Sequence, residues 1–242
     1  MKFSVVIPAR DEEHFIGKCL DSIRKATSPY PAQVETIVVL NRCTDGTERI
    51  ALDWGAKVVK NEDKNLAKIR NAGARLATGD ILITIDADSW MSDNMLIEID
   101  RALQGGEYIG GGVPIIPERM SPGIWCSMVF LKMCIGLSGL AGGLYWCYRR
   151  DFEAVGGFNE NLLVAEALDF AKRLKIYGRR HGKGFITLKS ASITTSCRKF
   201  DHFGDWMVFK LLFFNRRELR DSLSGRNADL PNRLFYDFDH RK

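Results

Sequence analysis

The chain has 242 residues, 45% of them hydrophobic and 27% charged, which is enough for one sizeable core and excludes a largely disordered protein. Its net charge of +5 is mild and scattered apart from Arg179-Arg180-His181. That excludes the dense Lys/Arg stripes with interleaved aromatics of a nucleic-acid binder, so no nucleic acid is expected as a partner.

In chain order, residues 3–7 (FSVVI) form an unbroken apolar run that stops at Pro8, the pattern of a buried strand. The chain enters this strand with no leader-like stretch before it. Phe15, Ile16, Cys19, Leu20 and Ile23 recur at helical spacing and predict a helix over 12–25. A strand follows at 36–40, a polar turn at 41–47, a helix at 48–54 and a strand at 56–60. Residues 66–76 read as a helix, with Gly79 suited to a left-handed cap. A strand at 80–85 runs into Asp86, and a helix at 92–103 has Ser92 or Asp93 as its cap. Residues 108–116, with Gly110-Gly111-Gly112, suggest a strand with a bulge or close approach. Further on, 169–177 reads as a helix, 184–188 and 191–195 as short strands, and 205–222 as a last helix.

Strands that alternate with helices imply βαβ units and a mainly parallel sheet, whose ligands bind beyond the carboxyl ends of the strands. The polar segments 9–13, 41–45 and 86–89 each follow a strand, so they should converge on one crevice. In Asp86-Ala87-Asp88 two carboxylates stand two residues apart. They repel unless a cation intervenes, and a hard divalent ion such as Mg²⁺ or Mn²⁺ suits oxygen ligands. A solvated acidic turn is the alternative. Arg10 and the backbone at Pro8 and Ala9 could face a base or diphosphate. Glu12 and Glu13 suit the first turn of a helix as well as a site. Asn41 could pair with a base edge, whereas Asp45 suits a helix cap better than a ribose. Arg70 could neutralise phosphate or lie on the surface. The six cysteines, Cys19, Cys43, Cys126, Cys134, Cys147 and Cys197, form no C-x-x-C pair and fit no zinc spacing. Reduced thiols, and so a cytoplasmic location, are expected.

The order SVVIPARDEE, VVLNRCTDGT, NLAKIRNAGARLATGDILITIDADS, then GGF and an acidic E-x-x-D resembles glycosyltransferase family 2 over roughly residues 3–200. The resemblance implies an α/β GT-A fold, a mostly parallel sheet flanked by helices with a C-terminal helical extension. It implies a nucleotide-binding half at 1–105, an acceptor-side half at 106–200 and an extension at 201–242. It also implies an NDP-sugar donor, metal-dependent and inverting transfer of a hexosyl group, and a hydroxyl acceptor on a glycan, a lipid-linked carrier or a small molecule. By resemblance Pro8, Ala9, Arg10, Glu12, Asn41, Asp45 and Arg70 line the nucleotide pocket, Asp86 lies near ribose or metal, and Asp88 holds the metal. Arg198, with Lys199, would close over the diphosphate. The stretch after Gly156-Gly157-Phe158 departs from the family: the aspartate expected as base is Ala167, and alanine takes no proton. Glu166 could serve instead, or another group, or the chain could be a donor-binding relative that does not transfer. Asp169 supports the acceptor or pairs with Lys172 or Arg173.

Residues 124–148 are mostly apolar but broken by Lys132 and several glycines. That pattern predicts a buried helix and a flexible acceptor-side loop rather than a membrane span; Trp125, Tyr145 and Trp146 could offer flat faces to a sugar ring, although core packing is the commoner use of such residues. The apolar segment at 206–220 implies core packing, a homodimer contact or a peripheral contact at the inner membrane face. A sugar nucleotidyltransferase would need a glycine-rich loop after the first strand, which residues 8–13 lack. No G-x-G-x-x-G supports a dinucleotide oxidoreductase.

Overall fold

A computed structural model describes residues 1–30, 33–136 and 143–214 of the chain. In chain order the first half contains β1 (Phe3–Ala9), α1 (Ile16–Thr27), β2 (Val34–Asn41), α2 (Thr47–Asp53), β3 (Lys57–Asn61), α3 (Leu66–Leu76), β4 (Ile81–Thr84), β5 (Ser89–Met91) and α4 (Met95–Gln104). The second half contains β6 (Tyr108–Gly112), β7 (Ile115–Pro117), α5 (Pro122–Gly136), β8 (Tyr145–Tyr148), α6 (Arg149–Ala154), α7 (Glu166–Arg180), β9 (Gly184–Thr187), β10 (Ile193–Thr195), α8 (Arg198–Phe203) and α9 (Met207–Phe214).

The main sheet has the order β3-β2-β1-β4-β8-β6-β9. The pairs among β3, β2, β1 and β4 are parallel, as is β6 with β9, and β8 alone runs against its neighbours. β1 is buried along its whole length, and its alternate residues serve two cores. Phe3, Val5 and Ile7 meet Ile16, Leu20 and Ile23 of α1 together with residues of α4. Val6 faces the opposite side, with Ala67, Ile69 and Ala74 of α3 and Phe170 and Leu174 of α7. This two-sided burial is why the strands read as continuous apolar runs.

β1 continues through Pro8, two residues beyond its last partner in β4. On that side no neighbour needs the missing N–H, so the proline is tolerated. Gly79 is not a left-handed cap. The end of α3 is an extended Ala77, and a Cβ on Gly79 would stand 2.7 Å from Ser4 Oγ and 2.8 Å from Lys2 O, so the glycine serves close packing. Neither Ser92 nor Asp93 caps α4, whose N-cap is Asn94 with no side-chain bond. Residues 108–116 divide into β6 and β7. The expected irregularity is present as a register shift between Tyr108 and Gly110.

A second, three-stranded sheet, β5-β10-β7, escapes the sequence reading. β10 pairs antiparallel with β5, so Thr195 lies opposite Ser89, and Ser196 N donates to Asp88 O at 3.0 Å. The chain after residue 195 is thereby delivered to the acidic motif. α5 is not a buried helix: Ile124 and Ser127 are buried, but Trp125 is 58% exposed and Met133 66%. Tyr145 and Trp146 are buried as expected, in β8. The acceptor-side loop around 137–142, and residues 215–222 of the expected last helix, lie outside the described residues; α8 and α9 occupy 198–214.

Candidate active site

Three loops at the carboxyl ends of β1, β2 and β4 converge, joined by the chain that leaves β10. Their pocket is lined by Pro8, Ala9, Arg10 and Glu12 from the first and Asn41 from the second. Asp86, Ala87 and Asp88 come from the third, Leu66 and Ile69 from α3, and Arg198 and Lys199 from the start of α8.

The first two loops are stitched together by side chains on backbone. Asp11 Oδ1 accepts from Thr44 N at 2.7 Å, Glu13 Oε2 from Gly46 N at 2.9 Å and Asp45 Oδ2 from Glu13 N at 3.0 Å. Glu12 N donates to Thr47 Oγ1 at 2.7 Å. Asp45 also takes the Thr47 hydroxyl at 2.6 Å. Burial would raise its pKa, but the Thr47 hydroxyl and the backbone of Glu13 and Thr47 bring it below the ordinary carboxylate value. Asp45 is thus a clasp between loops, not a pocket wall, and Glu13 is part of the same clasp. Asn41 lies in the pocket wall, but its amide donates to Asn61 O at 2.8 Å and Asp63 O at 2.9 Å, which fixes it to the end of β3.

Both carboxylates of the acidic motif are met by guanidinium groups. Arg198 forks onto Glu12, with 2.7 Å and 2.6 Å bonds, and reaches Asp88 Oδ2 at 3.0 Å. Arg70 donates to Asp86 Oδ1 at 2.6 Å and to Glu166. Burial would lower the pKa of Arg70, but Asp86 and Glu166 more than offset it and hold the group charged. For Arg198, Asp88 and Glu12 likewise outweigh burial. Burial pushes the Lys199 ammonium down, against the pull of Asp88. Cys19 lies beneath the motif and directs its thiol to Asp86 O at 3.8 Å. Burial, then the charges of Asp88, Asp86 and Glu12, push that thiol up, so it is an inert support.

Arg70 and Glu166 stand behind the pocket rather than in its wall. Ala165, at φ +60°, opens α7 in a left-handed turn that costs an alanine about 1 kcal/mol. The turn directs Glu166 toward Arg70. Asp169 is turned the other way, to Arg173 Nε at 2.7 Å, and Arg173 also donates to Val155 O and Gly157 O. It braces the Gly156-Gly157 turn, where both residues have positive φ. Ala167 is partly buried against the core shared by α3 and α7. Asn71 escaped the sequence reading. It exchanges bonds with Phe158, donating to its carbonyl at 2.9 Å and accepting from its N–H at 3.0 Å, and so ties α3 to the same turn.

The donor set at residues 86 and 88 suits a hard divalent ion: both are carboxylates, beside a cleft, with 47% of the Asp86 side chain exposed. A different trio, Asp11, Cys43 and Asp45, brings its ligand atoms within 4.8 Å of one another. Its carboxylates already hold the loops together. Burial pushes the Cys43 thiol up to about 11, leaving it protonated and a poor ligand.

This mainly parallel sheet, with the pocket at its strand-ending loops, is a GT-A fold, which solved structures share. Staphylococcus aureus TarS 1–349 in complex with UDP-GlcNAc superposes with a TM-score of 0.63 at 18% identity, over 81% of this chain and 58% of that one. The mannosyltransferase PcManGT from Pyrobaculum calidifontis, in complex with GDP-Man and Mn²⁺, gives 0.64 at 19% identity, over 98% and 68%. Residues 4–133 match the profile of Glycosyl transferase family 2, and the chain belongs to that family. The glycosyltransferase AglE of Haloferax volcanii is 32% identical over 186 residues, 70% of this chain and 60% of that protein. GlyA of Streptococcus pneumoniae is 29% identical over 98 residues, 38% and 14% respectively. The chain thus spans 60% of the length of the one relative and 14% of the other. The stretch around Ala167 lies beyond the residues that match the family profile.

Proposed function

We propose that this protein transfers a sugar from an NDP-sugar to an acceptor hydroxyl with the help of Mn²⁺ or Mg²⁺. One observation carries the reading: residues 8–10, 12, 41, 86–88 and 198–199 line a single pocket at the strand ends. In this pocket Glu12, Asp86 and Asp88 face Arg10, Arg198 and Lys199, with the Arg70–Glu166 pair behind them, which suits a ligand that brings both a divalent cation and a diphosphate.

Asp88 and Asp86 are the metal ligands in this reading. The bound ion would draw charge from the departing diphosphate. Pro8, Ala9, Arg10 and Asn41 hold the nucleotide. Arg198 and Lys199, two and three residues after Ser196, would meet phosphate oxygens, Arg198 turning from Glu12 and Asp88 where a divalent ion held at Asp88 would offset the carboxylate charge. Arg70 fixes Asp86 from behind, and Glu166 fixes Arg70. Asp169 acts at one remove, through Arg173 and the glycine turn. The nucleotide half is 1–105, the acceptor half 106–200 and the extension 201–242. Direct displacement with inversion needs a carboxylate to take the acceptor proton, and the Glu166 carboxylate is turned to Arg70 rather than into the pocket.

Ala167 favours a second reading, a relative that binds the donor without transferring it. Calorimetry with UDP and GDP, with and without Mn²⁺, tests the shared part. One nucleotide should bind, with metal dependence that Asp88→Asn abolishes; no binding of either sinks both readings. Ala167→Asp then separates them: a gain of donor hydrolysis or transfer shows that only a base was missing. Activity of the unchanged chain would dismiss the second reading.

A further inference from the structure

The apolar residues of α5 and α9 are not consumed by the core. On α5 the exposed positions among the described side chains are Pro122, Trp125, Val129, Leu131, Lys132 and Met133; Trp125, Val129, Lys132 and Met133, at i, i+4, i+7 and i+8, share one stripe of the helix. Trp206, Lys210 and Phe213 repeat the spacing at and along α9, with Trp206 49% and Phe213 61% exposed. The two helices lie side by side: Phe130 meets Phe209 with ring centroids 5.9 Å apart, and Trp206 meets Phe209 at 5.7 Å. Among the described residues, the exposed side chains on these two stripes are aromatic or aliphatic apart from Lys132 and Lys210. Neither helix contains an acidic residue. No helix among the described residues is long and apolar enough to cross a membrane.

Apolar faces with tryptophan and lysine at their borders match the interfacial zone of a bilayer, where rings sit among the headgroups and ammonium groups reach the phosphates. A second copy of the chain fits less well. A two-fold contact would press this face on itself and draw unneutralised ammonium groups from both copies into an apolar interface. The chain also joins this face to the pocket. Arg198 and Lys199, which line it, are the first residues of α8, and α8 leads through Gly204 into α9. Arg119 anchors this corner by pairing with Asp201 at 2.5 Å and Asp205 at 2.7 Å. The start of α5 abuts it, since a Cβ on Gly123 would stand 2.8 Å from Asp205 O.

We propose that the α5–α9 face seats the protein on an anionic lipid bilayer, and that the acceptor is an amphiphile held in that bilayer with its hydroxyl group presented beside Lys199. The acceptor clause rests on the sugar-transfer reading; the docking clause does not. The test mixes the full chain, at low ionic strength, with vesicles of phosphatidylcholine containing phosphatidylglycerol and with vesicles of phosphatidylcholine alone. The protein should sediment with the anionic vesicles, and its tryptophan emission should shift to the blue. Lys132→Gln and Lys210→Gln should each weaken binding about fivefold. Trp125→Ser with Met133→Ser should weaken it further. These positions are exposed, so an unchanged melting temperature should accompany the loss. Protein that stays in the supernatant, or variants that bind like the unchanged chain, would overturn the proposal. So would a concentration-dependent dimer in sedimentation velocity that Trp125→Ser dissolves. Nucleotide calorimetry on the same samples keeps the two readings apart. Nucleotide binding without vesicle binding rejects docking alone, and vesicle binding without nucleotide binding rejects sugar transfer alone.

Discussion

Arg198 shows what a residue's neighbours can decide that its sequence position does not. From the sequence it was a cation after a short strand, suited to a phosphate. In the fold it is almost fully buried and forks onto Glu12, 186 positions away. No local signal carries such a pairing. The two-residue spacing of Asp86 and Asp88 was legible, as was their place after a buried strand. That each carboxylate is held by its own arginine was not, because both partners arrive through tertiary structure. Removing Arg198 leaves the buried Glu12 and the partly buried Asp88 without its guanidinium, and breaking a buried pair on one side costs about 3–5 kcal/mol. Arg198→Ala should lower the urea midpoint accordingly. Mn²⁺ should restore part of that loss in the variant while doing less for the unchanged chain, since only the variant has a vacant counter-charge beside Asp88. A deficit untouched by Mn²⁺ would separate Asp88 from metal binding.

Among the elements, α3 was read with its observed ends, 66–76, because Asn65 caps it through Lys68 N and its small apolar residues repeat at helical spacing. β5 was missed because three residues between an acidic turn and a helix carry no periodicity. α5 was recognised as helical but assigned to the core, since an all-round apolar helix must be covered and its sequence does not say by what. Nor did the sequence mark Glu35, an ordinary acidic residue near a strand start. Its Oε1 accepts from Ser4 Oγ at 2.5 Å, Thr78 N at 2.6 Å and Thr78 Oγ1 at 2.8 Å, while Lys57 holds Oε2 at 2.6 Å. It therefore clamps β1, β2, β3 and the α3–β4 turn. Burial raises its pKa, but Lys57, Ser4 and Thr78 prevail and bring it from 4.5 to about 2. A carboxyl group depressed on folding stabilises the protein above its unfolded value and loses that contribution as pH falls through the folded one. Glu35→Gln should thus cost about 1–2 kcal/mol at neutral pH, discounted for the exposure of Lys57. The gap between variant and unchanged chain should close as pH drops from 4.5 toward 2. Chemical denaturation across that range checks it; a gap independent of pH would assign the loss to packing.

At the scale of the whole molecule, the alternation of strands and helices was enough to place three loops at one edge of the sheet, and the fold places them there. It was not enough to show that β10, through a second sheet, returns residues 196–199 to the same edge. The pocket consequently joins four loop segments, backed by Leu66 and Ile69 of α3, that span the chain from residue 8 to residue 199. A ligand bridging all four binds only the folded state, so it stabilises the fold as a unit by RT ln(1 + [L]/Kd), about 2.7 kcal/mol at a hundredfold excess over Kd. For a domain of this size that corresponds to a rise of about 5–10 °C in melting temperature. The rise should require nucleotide and Mn²⁺ together, because the ion alone meets carboxylates already paired with Arg70 and Arg198, and the nucleotide alone brings anionic charge toward Asp86 and Asp88. Hydrogen exchange should then slow at residues 8–12, 41–47, 86–89 and 196–200 in parallel. Protection confined to one of these segments, or an equal rise with Mn²⁺ alone, would mean that the ligand does not bridge the loops and that the pocket is not the donor site.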